Sequence, residues 1–483
     1  MWRKLVAAST CFLASNVICN PSQFVQGLPE YNWEEVSQHK ELGKSVWLVV
    51  GQGVYDVTEF IKIHPGGDKI LLAAGRSADP FWNLYQVHKH EKVYSLLETL
   101  RIGNIKRGEI DTSVTDPYKN DPKRDPVFIV HTEKPFNAEL PNEKIGENLI
   151  TPNSHFFIRN HLPVPQVDKD RYELEIVFED DKCVSLKFEE LIKLFESVEI
   201  ESSIQCAGNR RSEANTVGVT RGVEWHGGAI ANSLWKGIRV RDIITHFGQL
   251  NPEYHHMHVE AFDSDPNGPF GTSIPVEKAL DEDTILAYEM NGEPIPPDHG
   301  FPLRLITPGY IGIRNVKWVK RITLSRKESP LNWHKRDYRL FSPVDSMENV
   351  DFDKRIPVYE SPVQSMILSP FDGFQFDSNG KVELEGFAYS GGGRGIVRVE
   401  VTADRGDTWT EAELINNHKE GKKEYGWTLW RAQMDGEDLK SEVCVKAVDN
   451  AGNSQPENVT SVWNYRGLLV NSWHCIKLKP KEA

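Results

Sequence analysis

The sequence predicts a multidomain α+β protein: a small mixed N-terminal unit, a larger mixed α/β region and an all-β C-terminal sandwich. Three observations carry this reading. The chain has 483 residues and a mass of 55.0 kDa, too much for one simple core and enough for about three domains at roughly 150 residues each. Its composition, 39% hydrophobic and 26% charged, is that of a folded chain. Its pattern also changes twice, at a Pro- and charge-rich stretch (105–126) and again beyond about 346, where short alternating segments take over.

In order, MWRKLVAASTCFLASNVICNPSQ places Arg3 and Lys4 before an apolar, small-residue run that stops near Pro21. The run is too short to span a bilayer, and 1–25 reads as a targeting segment, mitochondrial or secretory. No later segment has 18 consecutive apolar residues, so stable membrane insertion is not expected. Residues 28–104 form the first unit. SVWLVV (45–50) and VYDVTEF (54–60) are strand-like and flank GQG, HPGG (64–67) is a turn, and DKILLAAGR and PFWNLYQVHKHEKVYSLLETL are helix-like. Residues 105–126, rich in charge and Pro, read as a linker. In 127–345, YELEIVF and VSLKFEELIKLF give strand then helix, and VKWVKRITLS (316–325) a late strand. Between them lie Gly- and Pro-rich loops carrying His, Arg, Trp and Asp, the pattern of a site assembled from loops on a scaffold. In 346–483, KVELEGFAYSG, GIVRVEVTAD, WTEAELI, GWTLWRAQM, SEVCVKAVDNAG and TSVWNYRG alternate in the manner of a β-sandwich, a module that binds or dimerises.

Acidic residues outnumber basic ones, 70 against 56, for a formal net charge of −14. This disfavours nucleic acid as a partner, yet leaves room for a small cationic pocket. The six cysteines include no CxxC pair, so neither a thiolate zinc site nor a disulfide-built core is expected. Cys183, Cys444 and Cys475 read as small buried hydrophobes. Cys206 differs: in SSIQCAGNRRSE it precedes Arg210 and Arg211, whose charges favour a thiolate, as nucleophile or as soft metal ligand. Several arginines without matching motif acids imply an oxyanion or phosphate-bearing ligand.

His64 on its rigid turn, with a second histidine at 88 or 90, could hold a haem iron axially. Val54–Phe60, His64-Pro65-Gly66-Gly67 and the following AAG resemble cytochrome b5. The resemblance implies a b-type haem with His64 as one axial ligand and His88 as the other, His90 being the runner-up. Bis-His ligation leaves no open position and suits electron transfer.

The blocks TPNSHFFIRNHLPVP (151–165), QCAGNRRSE (205–213), LAYEMNGEPIPPDHGFPLRL (286–305), GIRNVKWVKRI (312–322) and HKRDYRLFSP (334–343) resemble the animal sulfite oxidases, along essentially all of the post-leader chain. That resemblance implies a mixed α/β molybdopterin-binding domain and an immunoglobulin-like domain that makes a homodimer. Each subunit would carry one molybdenum–molybdopterin and one b-type haem. Cys206 would ligate molybdenum. The substrate pocket would comprise Arg159, Arg211, Trp225, Tyr338 and Arg466. Cofactor contacts would fall on Phe157, Arg159, His161, Asp263 (with Asp265 competing), His299, Arg304, Asn315, Val316 and Lys317. Sulfite would become sulfate, with electrons leaving singly through the haem to cytochrome c in the mitochondrial intermembrane space. An acidic protein suits a basic carrier, and a tethered haem could swing on 105–126 between its electron donor and acceptor. Eukaryotic nitrate reductases share the pattern, but there the b5-like part follows the molybdenum part and precedes a reductase.

Overall fold

The computed structural model describes residues 23–481 apart from 65–66, 85–87, 89–90, 108–116, 180–181, 249–250, 266–267 and 417–422. Nearly all of the 1–25 targeting segment, and His90, lie outside these residues. The chain divides into two compact units, Met1–Lys119 and Asn120–Ala483. Among the described residues no helix is long and apolar enough to cross a membrane.

The first unit is built on β1 (Glu30–Tyr31), β2 (Lys40–Glu41), β3 (Ser45–Val50), β4 (Gly53–Asp56) and β5 (Arg101–Ile105), in the order β1-β5-β4-β3-β2. Period-two alternation splits β3 between two cores. Val46, Leu48 and Val50 join Tyr55, Ile61 and Leu97 on one face, while Val49 joins Val36, Val54 and Ile105 on the other. Helix Trp33–Gln38 opens with a capping box: Asn32 Oδ1 accepts from Glu35 N at 2.8 Å, and Glu35 Oε2 accepts from Asn32 N at 2.7 Å. The helix-like DKILLAAGR is instead a 3₁₀ run, Gly67–Ala73. It is cut short where Gly75, at φ +71°, turns to donate to Trp47 O. The following aromatic stretch forms helices Asp79–Leu84 and Glu91–Glu98, with His88 between them rather than on one.

The second unit begins with a three-stranded sheet, β6 (Ile129–Glu133), β7 (Phe136–Glu139) and β8 (Ile158–Arg159), in that order. Next come β9 (Glu173–Phe178), β10 (Lys182–Lys187), β11 (Ser197–Gln205), β12 (Ile230–Arg239), β13 (His256–Asp265), β14 (Gly268–Pro275), β15 (Ile285–Met290), β16 (Glu293–Pro294), β17 (Arg304–Ile306) and β18 (Val319–Ser325). They make two sheets, β10-β9-β18-β13-β14 and β11-β12-β15-β16, with β17 added on β15. The late strand starts at Val319, because Trp318 sits at φ +51°, outside strand geometry. Residues 105–126 are not uniform. Ile105 ends β5, whereas Arg124 forks onto Asp298 (Nε–Oδ2 and Nη2–Oδ1, both 2.9 Å) and lies 4.2 Å over the Phe136 ring.

Beyond them lie β19 (Gln364–Ser369), β20 (Phe374–Phe376), β21 (Lys381–Tyr389), β22 (Ile396–Thr402), β23 (Thr410–Glu411), β24 (Glu413–Leu414), β25 (Thr428–Asp435), β26 (Glu442–Asp449) and β27 (His474–Pro480). Two sheets, β19-β21-β25-β24 and β20-β27-β26-β22-β23, enclose Leu384, Val399, Trp430, Val445 and Ile476. This is the expected sandwich. TSVWNYRG is not one of its strands: it is a 3₁₀ turn (Val459–Val462) and a loop whose Gly467 and Leu469 have φ of +54° and +60°.

The expectation for the cysteines needs correction. Cys444 and Cys475 face each other across β26 and β27 and form a disulfide. Sheet register brings together residues 31 positions apart. Cys183 is exposed, not buried. Replacing both bridged cysteines by alanine should cost about 4 kcal/mol on the chain-entropy account. An unchanged denaturation midpoint would count against that.

Candidate active site

In the first unit, His64 and His88 contact Phe60 and Trp82, which with Leu71, Phe81 and Leu100 form the partly buried apolar rim of the core. Phe60 meets the His64 ring edge-on at 5.7 Å, and Trp82 stacks on His88 at 4.7 Å. Burial, and then the charge of His64, hold His88 down to about 4, so its imidazole is neutral near pH 7. The effect of His64 on His88 puts the two rings within electrostatic reach. Two imidazoles in an apolar slot, one of them held neutral, are a donor set that fits a haem iron.

In the second unit β11 delivers the chain to Cys206, and a sharp turn leads into helix Arg211–Val217. Arg210 makes that turn at φ +62°, an unusual value for arginine. A buried fork holds it: Nε and Nη2 reach the Glu213 carboxylate at 2.6 and 2.7 Å, and Nη1 donates to Ser472 O. The first arginine of the motif is therefore structural and neutralised by its own acid. The second, Arg211, has no carboxylate partner among the described residues. Its Nε donates to Arg466 O at 2.9 Å and its Nη1 to Val223 O. Gly222, at φ +137°, leaves room for this guanidinium, which a Cβ would meet at 2.6 Å.

Cys206 lines a cleft in this unit. Phe157, Arg159, His161, Asp263, His299, Arg304, Asn315, Val316, Lys317 and Tyr338 line it as well. Asp263 is buried on the cleft wall, while the side chain of its competitor Asp265 is outside the described residues. Arg304 is 5% exposed and pushed down to about 9 by burial alone. It donates to Asn315 O and His299 O and stacks on Trp235 at 5.1 Å, with no carboxylate partner among the described residues. A buried cation without a counter-ion is costly, so the cleft fits an anionic, phosphate-bearing group. Burial also holds His299 down to about 3.

Some expected contacts are already engaged. Lys317 gives its three N–H bonds to Arg159 O, Asp298 O and Asn160 Oδ1, so it braces the wall and supplies charge rather than free donors. Asn315 uses Oδ1 on Thr307 N and Nδ2 on Tyr310 O and Ile311 O.

Arg159, Arg211, Arg466 and Tyr338 converge near Cys206, since Arg159, Arg466 and Cys206 act electrostatically on both Arg211 and Tyr338. Burial, then Arg159, Lys317 and Arg466, push His161 well below its usual range. Its Nε2 shares a 3.0 Å hydrogen bond with Tyr338 Oη. Burial raises the Tyr338 phenol, which therefore keeps its proton. A π-type turn, Trp333–Asp337, aims Tyr338 inward. Trp225 is fully buried, and its Nε1, like Arg466 Nε, is a buried donor with no partner among the described residues. The motif arginines are not all without acids: Arg466 pairs with Asp337 at 3.0 Å. Asp337 was visible in HKRDYRLFSP, but nothing in the sequence marked Asp298 or Arg124 as part of the wall.

The comparisons agree with this architecture. Residues 32–106 match the cytochrome b5-like heme/steroid binding domain, 161–333 the oxidoreductase molybdopterin binding domain, and 355–481 the Mo-co oxidoreductase dimerisation domain. Mitochondrial sulfite oxidase of Rattus norvegicus is 43% identical over 460 residues, covering 93% of this chain and 84% of the relative. Sulfite oxidase of Gallus gallus is 42% identical, covering 92% and 99%. The solved sulfane dehydrogenase SoxCD of Paracoccus pantotrophus superposes with a TM-score of 0.59 at 25% identity, covering 75% of this chain and 87% of that one. With the three domain matches in this order and relatives this similar along most of its length, the chain belongs to the sulfite oxidase family.

Proposed function

We propose that this chain oxidises sulfite to sulfate and passes the electrons singly through a b-type haem to cytochrome c. The observation that carries the proposal is the cationic pocket beside Cys206: Arg159, Arg211 and Arg466 gather there with two buried, unpartnered donors, Trp225 Nε1 and Arg466 Nε. A small oxyanion supplies the acceptors that such donors require. When bound, the molybdenum cofactor would supply the redox chemistry of oxygen-atom transfer. Cys206 would hold the metal through sulfur, and Arg304 would hold the anionic tail of the cofactor. The arginines orient sulfite by its oxygens without acting as bases, since they stay protonated. Tyr338 would turn its one O–H toward the reacting atoms while its oxygen accepts from Nε2–H of neutral His161, which fixes the phenol's orientation. His64 and His88 would hold the haem iron.

Among the described residues, Lys106 N still donates to Tyr31 O, and Asn120 O and Asp121 Oδ1 already accept from Gln166 Nε2 and Val164 N, so the tether is shorter than 105–126. Relatives named as mitochondrial support that organelle as the compartment, and within it the intermembrane space is proposed because the acceptor cytochrome c is found there. The match to a dimerisation domain supports a second copy as partner of the sandwich.

The test is an absorption spectrum with metal analysis, before and after sulfite. One molybdenum and one haem iron per chain are expected, with a reduced b-type band appearing on sulfite and not on nitrate. An unchanged spectrum with both metals present would overturn the reading.

A further inference from the structure

We infer that Glu139, His131 and His226 form a hydrogen-bonded clamp that positions Trp225, and with it one wall of the substrate pocket. The inference rests on the reading of that pocket as the sulfite site.

The clamp is built from two sequence features that the proposed chemistry leaves unused. The first is a bulge in β6. Val130 pairs with Ala138 and Thr132 with Asn137, so His131 is the extra residue. A bulge re-aims the side chain it carries, and His131 Nε2 meets Glu139 Oε1 at 2.6 Å. The second is the WHGG run. Three successive backbone N–H groups after Trp225 donate to the same carboxylate: His226 to Oε1 at 2.8 Å, Gly227 to Oε2 at 3.2 Å and Gly228 to Oε2 at 2.7 Å. The glycines permit the approach, since a Cβ on Gly228 would meet Leu140 O at 2.5 Å. His226 Nδ1 adds a further contact to Oε1 at 3.0 Å.

Glu139 is 0% exposed, so its charge depends wholly on these partners. An ionised carboxylate only accepts, so both ring nitrogens facing it carry protons. Five donors then meet two oxygens, which offer about four lone-pair sites. That saturation leaves no ligand position for a cation and marks the cluster as a hydrogen-bonded clamp. Burial would push Glu139 up, but the bonds from His131 and His226 outweigh it and hold it down to about 2.

The clamp bears on Trp225 in two ways. His131 packs edge-on against the Trp225 ring at 5.0 Å. The Trp225 backbone is also pinned from both sides: its carbonyl accepts from Ser212 N at 3.0 Å, and the three residues after it are tied to Glu139. The same strand carries Asn137, whose Oδ1 accepts from Arg159 Nη1 at 3.0 Å. One short sheet therefore orients two pocket residues, neither clamp histidine nor Glu139 touching the substrate. These three are positioning residues.

The test uses the full-length holoenzyme with Glu139→Gln, His131→Ala and His131→Asn. Gln keeps the shape but turns an amide N–H toward backbone donors. Hydrogen exchange of amides 226–228 should quicken about tenfold or more in Glu139→Gln, and unchanged exchange overturns the clamp. In His131→Ala, KM for sulfite should rise about tenfold with kcat within about twofold, because oriented binding is lost. His131→Asn, which keeps an N–H donor, should recover most of that loss. An unchanged KM, or kcat falling together with molybdenum content, overturns the positioning role. If the unmodified enzyme does not oxidise sulfite, the functional reading fails, while the exchange measurement still decides the clamp.

Discussion

Replacing Cys206 with serine should remove sulfite oxidation and leave the haem spectrum unchanged. A soft metal centre prefers thiolate to a hydroxyl oxygen, which stays protonated near neutral pH and binds such a centre poorly. The substitution is nearly isosteric, and the position is held by its backbone, Cys206 N donating to Ala229 O at 2.9 Å. The turn is secured independently by the Arg210–Glu213 fork. Loss of activity therefore reports on the metal rather than on the fold. Turnover should drop by at least about three orders of magnitude, equivalent to roughly 4 kcal/mol of barrier. The haem crevice belongs to the other compact unit, with its own core, and should not register the change. Steady-state oxidation, molybdenum content and the haem absorbance measured on one preparation decide the matter. Residual oxidation comparable to the unmodified enzyme would remove Cys206 from the site. Joint loss of activity and haem would point to misfolding.

Much of this arrangement can be read before any coordinates, and the parts that cannot share a physical cause. The strands β3, β9, β21 and β22 follow from period-two alternation, which is local. The CAGNRR turn follows from a short motif whose geometry is also local, while Pro65 and Gly66 of the expected HPGG turn lie outside the described residues. What escapes is set by tertiary register. The Cys444–Cys475 bridge needs β26 opposite β27. The Arg124–Asp298 fork joins residues 174 positions apart, from a segment whose composition looked like a linker. Arg466 reaches Arg211 from 255 positions away on a loop whose alternating residues imitate a strand. Its positive φ values at Gly467 and Leu469 are imposed by packing, since Leu469 N bonds Ala207 O at 2.7 Å. Saturation of hydrogen bonds is equally invisible in one dimension. Lys317 and Asn315 look like ligand donors in GIRNVKWVKRI, yet their side chains are spent on the wall. The histidines 131 and 226 reveal nothing in sequence, because one depends on a bulge and the other on a carboxylate 87 residues away.

His64→Ala should separate the two halves of the reaction. Without one imidazole the b-type absorbance disappears, and reduction of cytochrome c by sulfite falls by at least about three orders of magnitude. Sulfite oxidation with a small acceptor that takes electrons directly from the molybdenum site stays within about twofold. The structural argument lies in where His64 sits. It ends the 3₁₀ turn Phe60–Ile63 at the edge of the first unit's core, half-buried, with Ile61 and not His64 packed inside. Truncating an edge side chain opens no closed cavity, so the cost to folding is small beside the loss of a metal ligand. The core beneath it is contributed by residues 46–100 alone, so the second unit keeps its own packing. Companion substitutions extend the result: His88→Ala should match His64→Ala, and His90→Ala should keep the haem. A fall in the artificial-acceptor rate equal to the fall with cytochrome c would mean that the first unit does more than carry electrons. Retention of a b-type band in His88→Ala together with its loss in His90→Ala would move the second axial ligand to the later histidine.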